Sequence, residues 1–360
     1  MEVKKLKEKQ RLASTRHQIN SLKKASRLAK VERHRKFRKS RAKKNKLLGS
    51  SAKLQNNKIP EKLVKTIRAP KEFALTGTDC RDELISFLKR IKYHLGNGCY
   101  VELCFDNTDS LMPCGTLWAT TKLGKLVDEY PGKLSCTYPV DDIVEQLFQH
   151  IGLLSKLGKP NRRQEINADN VKHWQYVTGV TADDVEKFKE LLHSISLKEE
   201  IRTGLFESMS EAVTNSIHHA YPGVELKEWN MFAQLREGKL TVAICDQGVG
   251  IPNSLKNKPE LKEWIESRIN RVKRKHDTFL IKLAIESSRS QTRLPHRGKG
   301  LKDMLEFVKN GTVGGFLVLS AKGAFSYNAV TTGHVKKDYK TSIDGTIIEW
   351  QILLGEEHGQ

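Results

Sequence analysis

Several common signatures are missing from this 360-residue chain, and each absence removes a class of function. No apolar run is long enough to span a bilayer, and no apolar segment follows the basic N-terminus. Neither a membrane protein nor a secretory leader is expected, and the expected location is cytoplasmic. Its six cysteines (80, 99, 104, 114, 136 and 245) show no CxxC and no Cys/His ligand spacing. That argues against structural zinc and for a reducing compartment. GxxxxGK[ST] is absent, as is a GxGxxG turn after a strand, so neither a P-loop nor a dinucleotide fold is indicated. Residues 4–46 contain no proline, no glycine and one aromatic, Phe37. Base stacking is therefore not expected there.

What that segment does hold is charge. The formal net charge is +21, and residues 1–72 carry 25 of the 63 Lys and Arg but only 5 of the 42 acids. Residues 73–360 are left nearly balanced, with 38 bases against 37 acids. Apolar residues at Leu12, Ile19, Leu22, Ala25, Leu28 and Ala29 make residues 1–50 a basic, partly helical tail. A run of this kind releases counterions from phosphate, so nucleic acid bound without sequence preference is the expected partner of residues 4–46. The alternatives are a solvated tail and a nuclear-targeting or membrane-surface role. Residues 51–72, polar and basic with Pro60 and Pro70, read as a linker.

Four short stretches near the C-terminus carry the chemistry. On the helix that includes residues 211–222 (EAVTNSIHHAYP), Met209, Ala212, Val213, Ser216, Ile217 and Ala220 form one small or apolar stripe. Glu207, Glu211, Asn215 and His219 recur every four residues on the polar side. Pro222 and Gly223 stop the helix. An amide four residues after a carboxylate offers one oxygen for a phosphate-bound magnesium ion and one acceptor for a hydroxyl proton. A solvated face is the plainer reading.

Residues 240–246 (LTVAICD) form a buried strand ending in an acid that needs a donor, and an adenine amino group is a suitable one. Gly248 and Gly250 in the following turn let backbone approach a flat base. Residues 297–301 (RGKGL) open a second helix, leaving free N–H groups for phosphate beside Arg297 and Lys299. Residues 345–350 (GTIIEW) enter a last strand.

In this order and spacing the four stretches resemble the GHKL ATPases, the Bergerat-fold group of histidine-kinase catalytic domains, gyrase, heat-shock chaperones and mismatch-repair ATPases. The first stretch looks most like that of the anti-sigma-factor serine kinases. The resemblance implies a two-layer α/β sandwich (α+β) with a mixed sheet over residues 170–360, and ATP and Mg2+ as cofactors. It implies Glu211 as the catalytic acid or base and Asn215 as the metal ligand. Asp246 would hold the adenine, with Gly248 and Gly250 shaping its pocket and Thr346 supporting the contact. Arg297, Gly298, Lys299, Gly300 and Leu301 would close over the phosphates. Residues 253–296 stand where such domains carry a lid, with helical patterns at 262–275 and 279–287. A protein partner and a homodimer are further expectations of the resemblance.

Upstream, residues 73–160 alternate strand and helix. Helices are expected at 82–95, 115–127 and 141–154, with strands at 100–105 and 134–137. Residues 101–123 resemble the strand-loop-helix centre of STAS domains, the anti-sigma-factor antagonists. Where those present a phosphorylatable serine, this chain has Met112, Pro113 and Cys114. Residues 155–170 read as a connection, and Thr181 as the N-cap of a helix over 183–195. Three functions stay open: an ATPase switch acting on a partner, a serine/threonine protein kinase, and a nucleic-acid scaffold with a regulatory ATP site. A sensor histidine kinase is disfavoured, since no phosphoacceptor HExxxP pattern occurs.

Overall fold

In the computed structural model the described residues are 63–256, 276–286, 300–311 and 314–354. The tail, residues 51–62 of the expected linker, the 262–275 pattern, and Arg297, Gly298 and Lys299 lie outside them. The rest of that linker is not a linker. Val64–Arg68 is a strand, β1, whose fold depends on a parallel partner far along the chain and so left no local pattern.

After β1 come β2 (Glu72–Phe73), α1 (Thr78–Gly96), β3 (Tyr100–Cys104), β4 (Ser110–Leu111), α2 (Pro113–Glu129), β5 (Leu134–Cys136), α3 (Asp142–His150) and α4 (Leu153–Lys156). Strands β1, β3 and β5 form a three-stranded parallel sheet in the order β1-β3-β5. Leu84, Ile85, Leu88, Ile91 and Leu95, spaced three and four apart on α1, are all buried. The helix expected over 141–154 is interrupted, because Gly152 takes a left-handed φ of 73° between α3 and α4.

Helix α2 is buried on nearly every side of its first half, from Cys114 to Thr121. Such a helix lies between two layers. One side meets α1, and the other lies on strands of the second sheet. Gly115 makes the close approach possible: a Cβ there would stand 2.1 Å from the Phe73 carbonyl oxygen.

The expected connection over 155–170 is tied down. Arg162 donates to both oxygens of Glu145 on α3, at 2.6 and 2.7 Å. Gln146 Oε1 accepts from the backbone N–H groups of Asn167 and Ala168 at 2.9 Å each.

The C-terminal half contains α5 (Asp169–Lys172), β6 (Trp174–Gly179), a 3-10 turn (Ala182–Phe188), α6 (Lys189–Ser194) and α7 (Glu199–Asn215). It continues through β7 (Trp229–Arg236), β8 (Lys239–Asp246), α8 (Ile251–Lys256), α9 (Asp277–Glu286), α10 (Gly300–Gly311), β9 (Gly314–Ser320), β10 (Gly323–Asn328), β11 (Gly333–Asp338) and β12 (Thr346–Leu353). Seven of these strands make one sheet in the order β11-β10-β9-β12-β8-β7-β6, every pairing antiparallel. The sheet expected to be mixed over residues 170–360 is thus antiparallel throughout, because its neighbouring strands run in opposite directions, and the parallel pairings all lie in the first module, in the β1-β3-β5 sheet and the short β2-β4 pair. Thr181 caps the 3-10 turn in a capping box with Asp184, whose carboxyl these hydrogen bonds hold down at about 2 despite burial.

Alternation along the central strands separates two cores. Met231, Ala233, Val242, Ile244, Ile348 and Trp350 meet Leu205, Met209, Val213, Met304 and Val308 of the helices. Phe232, Ala243, Cys245 and Ile347 face the other way, toward Leu117, Trp118 and Leu123 of the first module. Residues 73–160 and 170–360 therefore share a hydrophobic core. A strand covered on both faces reads as an unbroken apolar run, and this is why β8 is LTVAIC rather than alternating.

Candidate functional site

Helix α7 buries Leu205, Ser208, Met209, Ala212 and Val213 and turns Glu211 and Asn215 partly outward. The Asn215 amide donates to Glu211 Oε1 at 3.3 Å. The helix then loosens into a π turn, Ser216–Ala220, which shifts the register of His219 relative to the row above it. Turns of this kind concentrate at functional sites. Glu207, on the same row, is exposed.

Gly300, the first residue of α10, rests on this pair. A Cβ at Gly300 would lie 2.4 Å from Glu211 Oε1 and 2.7 Å from both Asn215 Nδ2 and Glu211 Cγ. Glycine there leaves the pair room that any other residue would fill. Leu301 packs into the helix-side core. Between α7 and α10 runs a groove of about 570 Å³, lined by Glu207, Ser208, Glu211, Gly300, Asp303 and Met304. Glu211 Oε1 and Asn215 Nδ2 together edge the space that glycine keeps open, and a carboxylate beside an amide is a donor set of the kind magnesium takes.

At the other end of the site, three strand ends stand side by side. Thr346 pairs with Asp246 on one flank and with Ser320 on the other. The Asp246 carboxylate accepts from Gly248 N–H at 2.8 Å, from Ser216 Oγ at 3.5 Å and from the Thr346 backbone. Burial pushes its carboxyl up to about 6 despite those donors. The loop that follows is closely packed. A Cβ at Gly248 would stand 2.1 Å from the Ala220 carbonyl oxygen, and Gly250 holds a φ of +78°. Tyr221 fastens it too, its hydroxyl accepting from Gln247 N–H at 2.8 Å and donating to Glu228 O at 2.5 Å. Burial raises that phenol well above its ordinary value, so it remains a donor.

Ser320 has no counterpart in the sequence reading. Its Oγ accepts from Ile251 N–H at 2.9 Å, donates toward Gly345 O at 3.1 Å and lies 3.0 Å from Thr346 Oγ1. It joins the glycine turn, β9 and β12 in one hub. The only sequence signal is a polar residue closing the run FLVLS before a turn. The structure thus assembles Glu211, Asn215 and Gly300 at one end, and Asp246, Gly248, Gly250 and Thr346 at the other.

Residues 183–301 match the family model of the histidine kinase-like ATPase domain. The match spans Glu211, Asn215, Asp246 and Gly300. Fold, site and match together support an ATP-binding domain of the GHKL type in this part of the chain. No curated protein matches the chain. Among the described residues no helix is long and apolar enough to cross a membrane.

Proposed function

We propose that the protein is an ATP- and magnesium-dependent ATPase whose nucleotide state acts as a switch on a protein or nucleic-acid partner. The observation that carries this is the Glu211–Asn215 pair, in contact with each other and with the glycine that starts α10. Asn215 would offer its amide oxygen to the cation. Glu211, partly exposed at the mouth of the groove, would orient a water and take its proton. Asp246 would accept the adenine amino group, with Ser320 and Thr346 fixing the strand ends around it. Bound magnesium would neutralise charge on the phosphates. Gly298 and Gly300 would give α10 an N-terminus with free backbone N–H groups, and Arg297 and Lys299 would add positive charge beside it.

Water is favoured over a hydroxyl of the first module as acceptor. At the start of α2, where STAS antagonists carry serine, Cys114 has no hydroxyl and is 3% exposed. Its backbone N–H is taken by Glu349, buried on β12. Dimerisation and a basic tail that contacts nucleic acid would give the switch its targets.

The test is ATP turnover by the full chain with magnesium, alone and with DNA or RNA, Asn215→Ala serving as the blank. Release of free phosphate that rises with nucleic acid supports the switch. Phosphate transferred to a protein hydroxyl would replace it with the kinase reading. ATP binding without turnover under every condition would leave a regulatory site on a scaffold.

A further inference from the structure

Arg81 is wholly buried in the first turns of α1, and burial lowers its guanidinium to about 10, so it stays charged at neutral pH. A buried cation is costly unless its donors are used. Here backbone carbonyls use donors of both terminal nitrogens, while the buried Nε has no hydrogen-bond partner. Nη1 donates to Leu75 O at 3.3 Å within the first module, while Nη2 donates to Ala321 O at 3.1 Å and Thr341 O at 3.3 Å across the interface. The guanidinium also lies 4.1 Å from the centre of the Tyr339 ring.

Those acceptors belong to the adenine end of the site. Ala321 follows Ser320 directly, holds a φ of +51°, and donates its N–H to Gly345 O at 3.4 Å. Thr341 lies in the 339–345 loop that leads into Gly345 and Thr346. That loop is held by the first module at further points. Tyr339 donates its hydroxyl to Thr76 O at 2.7 Å, and Thr341 Oγ1 donates to Asp82 Oδ1 at 2.6 Å. Lys122 of α2 donates to Asp344 O at 3.2 Å, one residue before Gly345 with its φ of +113°. Lys122 also contributes the positive charge that helps keep Asp246 ionised. Two cations from consecutive helices thus grip the two backbone segments that flank Ser320 and Thr346.

We infer that the first module governs nucleotide recognition: Arg81 and Lys122 are positioning residues that hold the 320–322 turn and the 339–345 loop in the shape needed to read adenine. The inference rests on the nucleotide-site reading above and adds its regulation. Anything that loosens the first module from the sheet would then lower ATP affinity and base selectivity, without touching a residue that contacts ATP.

The experiment measures displacement of a fluorescent ATP analogue from the full chain by ATP, inosine triphosphate and inorganic tripolyphosphate. Inosine triphosphate lacks the amino group that Asp246 would accept, and tripolyphosphate lacks the base. Lys122→Met and Arg81→Lys are compared with wild type, each first shown to unfold cooperatively. Arg81→Met is added as the charge-free variant. Expected is a fall of about tenfold in ATP affinity and a similar fall in the preference for ATP over inosine triphosphate, with tripolyphosphate unchanged. Because Lys122 is only partly buried, its variant keeps the test open if Arg81→Met does not fold. Unchanged affinity and preference in folded Lys122→Met and Arg81→Lys would overturn the inference alone. Equal losses for all three ligands would also overturn it, by reducing both residues to general scaffolding. Wild-type protein that binds none of them would overturn the nucleotide-site reading itself.

Discussion

Replacing Asp246 by asparagine should make the ligand-free protein more stable while it weakens ATP binding. The carboxyl is 5% exposed and raised from 3.8 to about 6, roughly two units. At 1.36 kcal/mol per unit, keeping it ionised costs the folded state about 3 kcal/mol. The folded carboxyl keeps its proton to about pH 6, whereas the unfolded one loses it near 3.8. The cost is therefore absent below about pH 4, grows between 4 and 6, and is complete above. Asparagine removes that cost but is a weaker acceptor for Gly248 N–H, a loss of about 1 kcal/mol. The net gain is about 2 kcal/mol at pH 7.5, read as a higher urea midpoint at unchanged slope. Near pH 4 the gain should vanish or reverse. Loss of a charge-assisted contact to the adenine amino group should lower ATP affinity by ~10- to 100-fold. A variant less stable than wild type at pH 7.5, or a stability difference independent of pH, would refute the reasoning.

Other substitutions probe separate parts of the site. Gly300→Ala places a Cβ against Glu211 and Asn215, so ATP turnover should fall at least about tenfold while the free energy of urea unfolding changes by less than about 1 kcal/mol. Gly248→Ala meets the Ala220 backbone at 2.1 Å instead of a yielding side chain, and strains the Val249 N–H to Ala220 O bond of 2.8 Å. It should cost about 3 kcal/mol in urea unfolding. Glu211→Gln should lower turnover by ~100-fold or more while ATP affinity, measured by calorimetry, stays within about threefold.

The parts of the fold written in local patterns were legible. Stripe residues Met209, Ala212, Val213, Ser216 and Ala220 are buried, and β8 runs through LTVAIC to end at Asp246. Thr181 caps where a capping residue belongs. What escaped depends on pairing between distant segments. Strands β1, β6 and β7 have no clean alternation, because their neighbours and covering layers decide their burial. Ser320 matters only once β9 stands beside β12, a register that no local spacing displays. The shared core had a signal that went unused: α2 is apolar on more than one side and β8 on both faces, so each needed a second layer. Arg81 gave no signal, since a basic residue early in a helix ordinarily faces water.

Calorimetric titration of the full chain with ATP, with and without magnesium, tests the central claim most directly. Wild type should bind ATP more tightly with magnesium, Asn215→Ala should lose the magnesium dependence, and Asp246→Ala should lose most of the binding while remaining folded. Absence of binding by wild type, or an Asn215→Ala protein with undiminished magnesium dependence, would contradict the account.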